Sequence, residues 1–212
     1  LAAQCYLTDY AYADTLDENG RLNDLVRDAR ILLNNGVSDQ AMFGAQSSVI
    51  AMYRPLGEVF AKNADLAGLV AEDLLELQIG SSEKEAVLAA AVPSLMSGET
   101  DGADPVQQQY EEAPYPRWIT CDRRVPTSLA NVLGALYPHR QMPDFSHRPV
   151  RALVAGCGTG KHAVDVAQQY QTSELVAFDI SRASLGYAAR MADQLGLTNI
   201  RFTQADLLGL GD

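Results

Sequence analysis

Cysteine is sparse in this 212-residue chain, and the three present, Cys5, Cys121 and Cys157, stand too far apart for paired metal ligation. An odd, scattered set excludes a disulfide framework, so the thiols are expected reduced. No apolar run reaches the ~18 residues that span a bilayer, and no basic-apolar-small leader opens the chain. The expected location is therefore cytoplasmic, with no membrane partner. Charged residues make up 20% and apolar residues 47%, which excludes a disordered or collagen-like polymer and leaves an ordinary globular protein. Lys/Arg clusters are missing too. Residues 1–104 hold 17 acids against 6 bases, whereas residues 105–212 hold 10 of each, so the whole net charge of -11 is N-terminal. Such a half repels phosphate backbones, and no nucleic acid partner is expected.

The charge break coincides with a run of small and turn-forming residues, Ser97 to Pro105. We read residues 1–96 as a helical domain, 97–104 as a linker and 105–212 as a second domain. Leu22, Leu25, Val26, Ala29, Leu32 and Leu33 recur at helical spacing before Asn34-Asn35-Gly36, a left-handed stop. Leu66, Leu69, Val70, Leu74 and Leu77 repeat the pattern behind Asp65 and end at Gly80, and Ser82 with Glu85 has capping-box spacing for a further helix. Residues 1–13 and 40–53 are expected helical as well. No 34-residue repeat is evident. Tyr6, Tyr10 and Tyr12 are read as packing aromatics in preference to a ligand-stacking ladder.

The second domain carries the chemistry. Val150 to Ala155 reads as a buried strand running into Gly156-Cys157-Gly158-Thr159-Gly160 and then the helical stretch 161–170. Glycines there remove the Cβ atoms that would hold a ligand off the backbone, and the helix start offers unpaired N–H groups. A second strand, 174–178, ends at Asp179, where a carboxylate can accept both hydroxyls of a ribose. Ser181 caps a helix with Leu185, Ala188, Ala189, Ala192 and Leu195 inward and Gly196 as its stop. A third strand, 200–204, delivers Ala205 and Asp206. The alternation implies a parallel, doubly wound α/β sheet with its ligand over the carboxyl ends of the strands.

Spacing separates three glycine loops. The dinucleotide form needs glycine at Lys161, and the phosphate loop needs Ser or Thr where His162 stands. A GxGxG loop with an acid after the second strand and Asp after the third fits all positions. These residues, with Val-Ala-Phe-Asp-Ile-Ser and Ile-Arg-Phe-Thr-Gln-Ala-Asp-Leu-Leu, resemble the first three motifs of class I S-adenosylmethionine-dependent methyltransferases. The segment Gln109 to Trp118, containing Tyr-Glu-Glu-Ala-Pro-Tyr-Pro-Arg-Trp, further resembles a bacterial subgroup often joined to tetratricopeptide or other helical N-terminal regions.

The resemblance implies S-adenosyl-L-methionine as cofactor, with Gly156, Cys157, Gly158 and Gly160 along its methionine and ribose parts. It also implies Asp179 on the ribose, Ile180 beside the adenine, and Ala205 and Asp206 at the adenine amino group. The Pro-Tyr-Pro-Arg-Trp stretch either staples the two halves of the chain, the favoured reading, or folds over the cofactor with Tyr115 and Arg117 near the methionine carboxylate. Ala155 departs from the family's usual acidic residue before the first glycine. Cys157 is read as a small turn residue, Lys161 as solvated, and His162 as a surface or helix-start residue.

The family's sheet has seven strands and this chain supplies three, in the expected order 3-2-1. The chain is accordingly expected to be the cofactor-binding half of a methyltransferase: residues 107–149 an arm and helix, residues 150–212 the Rossmann-like half. By itself it would be inactive, and its open first-strand edge would invite self-association. The acceptor, protein or small molecule, and the catalytic residues are not legible. The alternative is a helical interaction module whose Rossmann-like half binds an adenosyl ligand without catalysis.

Overall fold

Thr15 opens the longest helix through a reciprocal cap. Its hydroxyl accepts the Glu18 N–H at 3.2 Å, and the Glu18 carboxylate accepts the Thr15 N–H at 2.7 Å. The computed structural model describes residues 1–60, 65–96, 111, 114–170 and 172–209. The chain divides into two compact units, Leu1–Glu83 and Lys84–Asp212. The 97–104 linker assigned from composition lies outside the described residues, as do residues 109, 110, 112 and 113 of the aromatic segment.

In the first unit, α1 (Ala2–Leu7) is shorter than the expected 1–13, because Asp9 and Tyr10 take positive φ and reverse the chain. Helix α2 (Leu16–Asn35) buries Leu22, Val26 and Ala29, a one-face stripe, and ends at Gly36 with φ +87°. Helix α3 (Gln40–Ile50) packs Phe43 and Ile50 into the same core. Gly44 blurs the apolar period of α3 for a reason of contact: a Cβ there would lie 2.9 Å from the Leu69 carbonyl. Pro55 opens the short α4 (Leu56–Val59).

Two expectations fail between residues 65 and 91. Asp65 caps a turn, its carboxylate accepting the Ala67 N–H at 3.2 Å, and helix α5 (Glu72–Leu75) starts only later. Gly80 is not a stop. The chain passes from α5 through a π-helical turn (Glu76–Gly80) into α6 (Ser81–Ala91), so Ser82 and Glu85 lie inside a helix. Gly80 makes room for the Glu76 carboxylate, whose Oε2 a Cβ would approach to 2.5 Å. Gln78, in that turn, is buried but satisfied: it accepts the Leu56 N–H at 3.0 Å and donates to the Ala51 carbonyl at 3.3 Å.

The second unit is built on a three-stranded parallel sheet in the order β1 (Val150–Ala155), β2 (Thr172–Asp179), β3 (Ile200–Gln204). Leu153 stands opposite Val176, and Val176 opposite Arg201. After α7 (Leu129–Leu136), helices α8 (Lys161–Gln169) and α9 (Arg182–Gln194) make the crossovers. Helix α7 packs against the 3-10 turn Asp144–His147 and leaves Leu136 exposed. Val154, Ala163, Ala167, Leu175, Ala177 and Leu185 form the core between sheet and helices.

Helix α9 is buried beyond the single inward stripe read from its sequence. The part of α6 in this unit covers a second face, coming so close at Gly186 that a Cβ would lie 2.5 Å from the Glu85 carbonyl. Arg190 pairs there with Glu85 at 2.8 Å. Past α6, the chain runs along β3, the Gln204 N–H donating to the Pro93 carbonyl and the Leu95 N–H to the Gln204 carbonyl, both at 2.8 Å.

Candidate functional site

The carboxyl ends of β1, β2 and β3 bring together Gly156, Asp179, Ala205 and Asp206, because parallel strands all finish at one rim of the sheet. Gly156, Gly158 and Gly160 have φ of +64°, +52° and +81°, values that favour glycine. Their reasons differ. Among the described residues a Cβ at Gly156 or Gly158 would meet nothing within 4 Å, so these two leave bare backbone there. A Cβ at Gly160 would lie 2.5 Å from the Ala188 Cβ, so the third glycine serves the packing of the loop on α9.

Asp179 ties the loop to the next helix. One carboxylate oxygen accepts the Gly158 N–H at 2.7 Å and the other the Ser181 N–H at 3.0 Å. Each oxygen has capacity for a further donor, and Asp179 remains partly accessible. Its backbone carbonyl takes the Ala205 N–H at 3.0 Å, which registers the end of β3 against the end of β2. Ile180 is held likewise, its carbonyl accepting from the Gln204 side chain at 3.0 Å while the Gln204 oxygen accepts from the Arg182 guanidinium. Cys157 is buried; burial and then the Asp179 charge push its thiol up to about 12, so it stays protonated.

Sequence reasoning missed the groups that hold the arm to this loop. The buried Thr159 hydroxyl donates to the Pro116 carbonyl at 2.7 Å, and the Thr159 carbonyl accepts the Trp118 indole N–H at 3.0 Å. Trp118 lies against Tyr187 of α9. Tyr115 is exposed, whereas Arg117 adds its positive field to the Glu85 carboxyl. Glu111 caps α9: its two oxygens accept the Arg182 and Ala183 N–H groups at 2.6 and 3.0 Å. Lys161 is not simply solvated. Its ammonium stands 5.3 Å from the centre of the Trp118 ring and 3.3 Å from the Asp165 carboxylate. His162 is exposed. Among the described residues no three His, Cys, Asp or Glu side chains group as metal ligands, and no helix is long and apolar enough to cross a membrane.

The second unit is thus a parallel α/β sheet with a bare glycine loop and a carboxylate at the end of its second strand. Residues 146–211 match the family model of a methyltransferase domain. Similar solved structures include the YcgJ protein from Bacillus subtilis, at 25% identity over 30% of this chain and 26% of that one, TM-score 0.28. The (4+2)-cyclase SpnF matches at 30% identity over 39% of this chain and 29% of its own, TM-score 0.29. Coclaurine N-methyltransferase, solved with N-methylheliamine and SAH, matches at 16% identity over 89% of this chain and 47% of its own, TM-score 0.29. The chain thus spans less than a third of the length of the first two.

Proposed function

We propose that the second unit binds S-adenosyl-L-methionine and serves methyl transfer from it. The observation that carries this reading is the juxtaposition of the Asp179 carboxylate with the open backbone of Gly156 and Gly158, inside the segment that matches a methyltransferase domain. The donor set fits the group. Asp179 offers spare acceptor capacity to a vicinal diol, Ile180 an apolar contact for a flat base, Asp206 an acceptor for an exocyclic amine, and the loop clearance at Gly156 and Gly158 room for the sulfonium-bearing chain, while Ala205 is buried with its N–H on the Asp179 carbonyl. The sulfonium of this cofactor supplies an already activated methyl group.

The residues of the chain bind and orient. Asp179, fixed by two backbone N–H groups, presents its remaining lone pairs without reorganisation, and Ser181 and Glu111 satisfy the first turn of α9 so that no water is needed there. Thr159 and Trp118 keep the loop in one conformation.

Titration calorimetry with S-adenosylhomocysteine in the presence of EDTA tests the reading. Binding is expected, a 2′-deoxy analogue should bind weaker, and Asp179→Ala should cost about 1.5–3 kcal/mol. Gly158→Val should abolish binding while the helical circular dichroism signal stays nearly intact, since its side chain enters open space and the strain of a left-handed valine is confined to the loop. Equal affinity of the deoxy analogue would remove Asp179 from the ribose, and no binding at all would overturn the proposal.

A further inference from the structure

The first unit holds a pocket of about 340 Å³ whose walls include Tyr10, Tyr12 and Tyr53, the carboxylates Asp14 and Glu18, and Met52. We propose that this pocket is a binding site for a methylated ammonium group. It is independent of the methyl-transfer reading of the second unit.

Three aromatic rings around one small cavity offer electron-rich faces, and a quaternary or trimethylated nitrogen is the cation that uses them best: its charge is spread over methyl groups and its hydration is weak. Two carboxylates, Asp14 and Glu18, outnumber the one cation on the same wall, the Leu1 ammonium, and set the sign of the guest. Residues 1–83 as a whole carry 13 acids against 5 bases, so the field outside the pocket favours the same sign. The cavity lies within the size range of small-molecule sites.

The rings are braced. The Tyr10 hydroxyl is turned away into the unit, donating to the Ala51 carbonyl at 3.5 Å and accepting from the buried Gln78 amide at 3.4 Å. The Tyr6 ring stands edge-on to Tyr10 with centroids 6.4 Å apart. Asp9 and Tyr10 both hold left-handed backbone, φ +52° and +54°, a conformation that costs free energy in non-glycine residues and turns the chain sharply just before Tyr12 and Asp14. The Glu18 carboxyl is kept below its ordinary range by the Thr15 backbone N–H and hydroxyl and by the Tyr53 hydroxyl, so it is ionised at neutral pH and also orients the Tyr53 ring. Tyr12 is 62% exposed, too open for a core residue, and its place on the cavity wall accounts for that.

The test compares choline with 3,3-dimethyl-1-butanol, the same shape with carbon in place of the charged nitrogen, by calorimetry on the whole chain. Choline is expected to bind at least about tenfold tighter than the neutral alcohol, and Tyr12→Ala and Asp14→Asn each to weaken it about three- to tenfold. Neither side chain is buried, so unchanged circular dichroism and melting temperature keep the variants interpretable. A trimethyllysine peptide binding tighter than choline assigns the guest to a protein side chain; equal or weaker binding assigns it to a free small cation. Absence of choline binding, equal affinity for the alcohol, or undiminished binding by folded Tyr12→Ala would overturn the proposal.

Discussion

The Tyr187 hydroxyl accepts the Trp118 backbone N–H at 2.8 Å and donates its own proton to the Trp118 carbonyl. One side chain of α9 thereby satisfies both backbone groups of a buried residue 69 positions earlier. Tyr187→Phe leaves that N–H and that carbonyl in an apolar setting without their partner, a loss of about 1–3 kcal/mol. Trp118 is the single tryptophan of the chain, so its emission reports on the arm directly. Urea unfolding should show the lower midpoint, and the native emission should shift to longer wavelength as water reaches the indole.

The Glu85–Arg190 pair is another long-range tie of the second unit. Their side chains are 15% and 7% exposed, and the Arg190 guanidinium also lies 4.8 Å from the Tyr187 ring centre. Glu85→Ala takes both the charge and the acceptor oxygens away from a buried guanidinium and should cost about 3 kcal/mol, of which Arg190→Met in the same chain should recover a large part.

Burial pushes the Glu85 carboxyl above its ordinary value of 4.5, more than Arg190 and Arg117 pull it down. The folded chain then binds this proton more tightly than the unfolded chain. The stability the group contributes is present in full below the ordinary value and is lost as pH rises through the raised one. The difference in stability between wild type and Glu85→Gln, followed from pH 4 to 7, should change in that direction, and a flat difference would contradict it.

Local chemistry made part of this molecule readable and distant contact hid the rest. Gly156, Gly158 and Gly160 stand between a short, mostly apolar run and a helical one, so the strand-turn-helix was visible from adjacent residues alone. The same residues did not reveal that Gly160 answers to Ala188 while Gly158 answers to nothing among the described residues. Ser82 and Glu85 had capping-box spacing, yet Glu85 faces Arg190 across 105 positions, and no local pattern signals such a partner. The sequence assigned Thr159 no role; its hydroxyl and carbonyl are the points where the Pro116–Trp118 arm attaches. The available hint was a tyrosine, Tyr187, on a helix whose other apolar residues are mostly alanine and leucine.

Those two glycines should separate in mutagenesis. Alanine at either position must hold left-handed backbone, about 1–2 kcal/mol. At Gly160 the added methyl also meets the Ala188 Cβ at 2.5 Å and its Cα at 3.1 Å, an overpacking of about 1–3 kcal/mol more. Urea midpoints should therefore fall clearly further for Gly160→Ala than for Gly158→Ala. Equal losses would show that α9 yields to the methyl group.

Cys157 sits between two glycines of the loop, where an exposed thiol would be open to alkylation. Its side chain is instead buried, and its thiol is pushed up to about 12, chiefly by burial and further by the Asp179 carboxylate. At pH 8 the thiolate fraction is then on the order of one in ten thousand, against roughly a quarter for a solvated cysteine. Cys121 is only half-buried. Iodoacetamide at pH 8, with peptide mapping over time, should label Cys121 in the native chain well before Cys157, and urea should bring Cys157 to the rate of a free thiol. Asp179→Asn removes the smaller cause and leaves burial in place, so it should raise the native rate at Cys157 only modestly. Labelling of native Cys157 at the free-thiol rate would mean that the loop opens in solution, and the hydrogen bonds of Asp179 to Gly158 and of Thr159 to the arm would then not hold it closed.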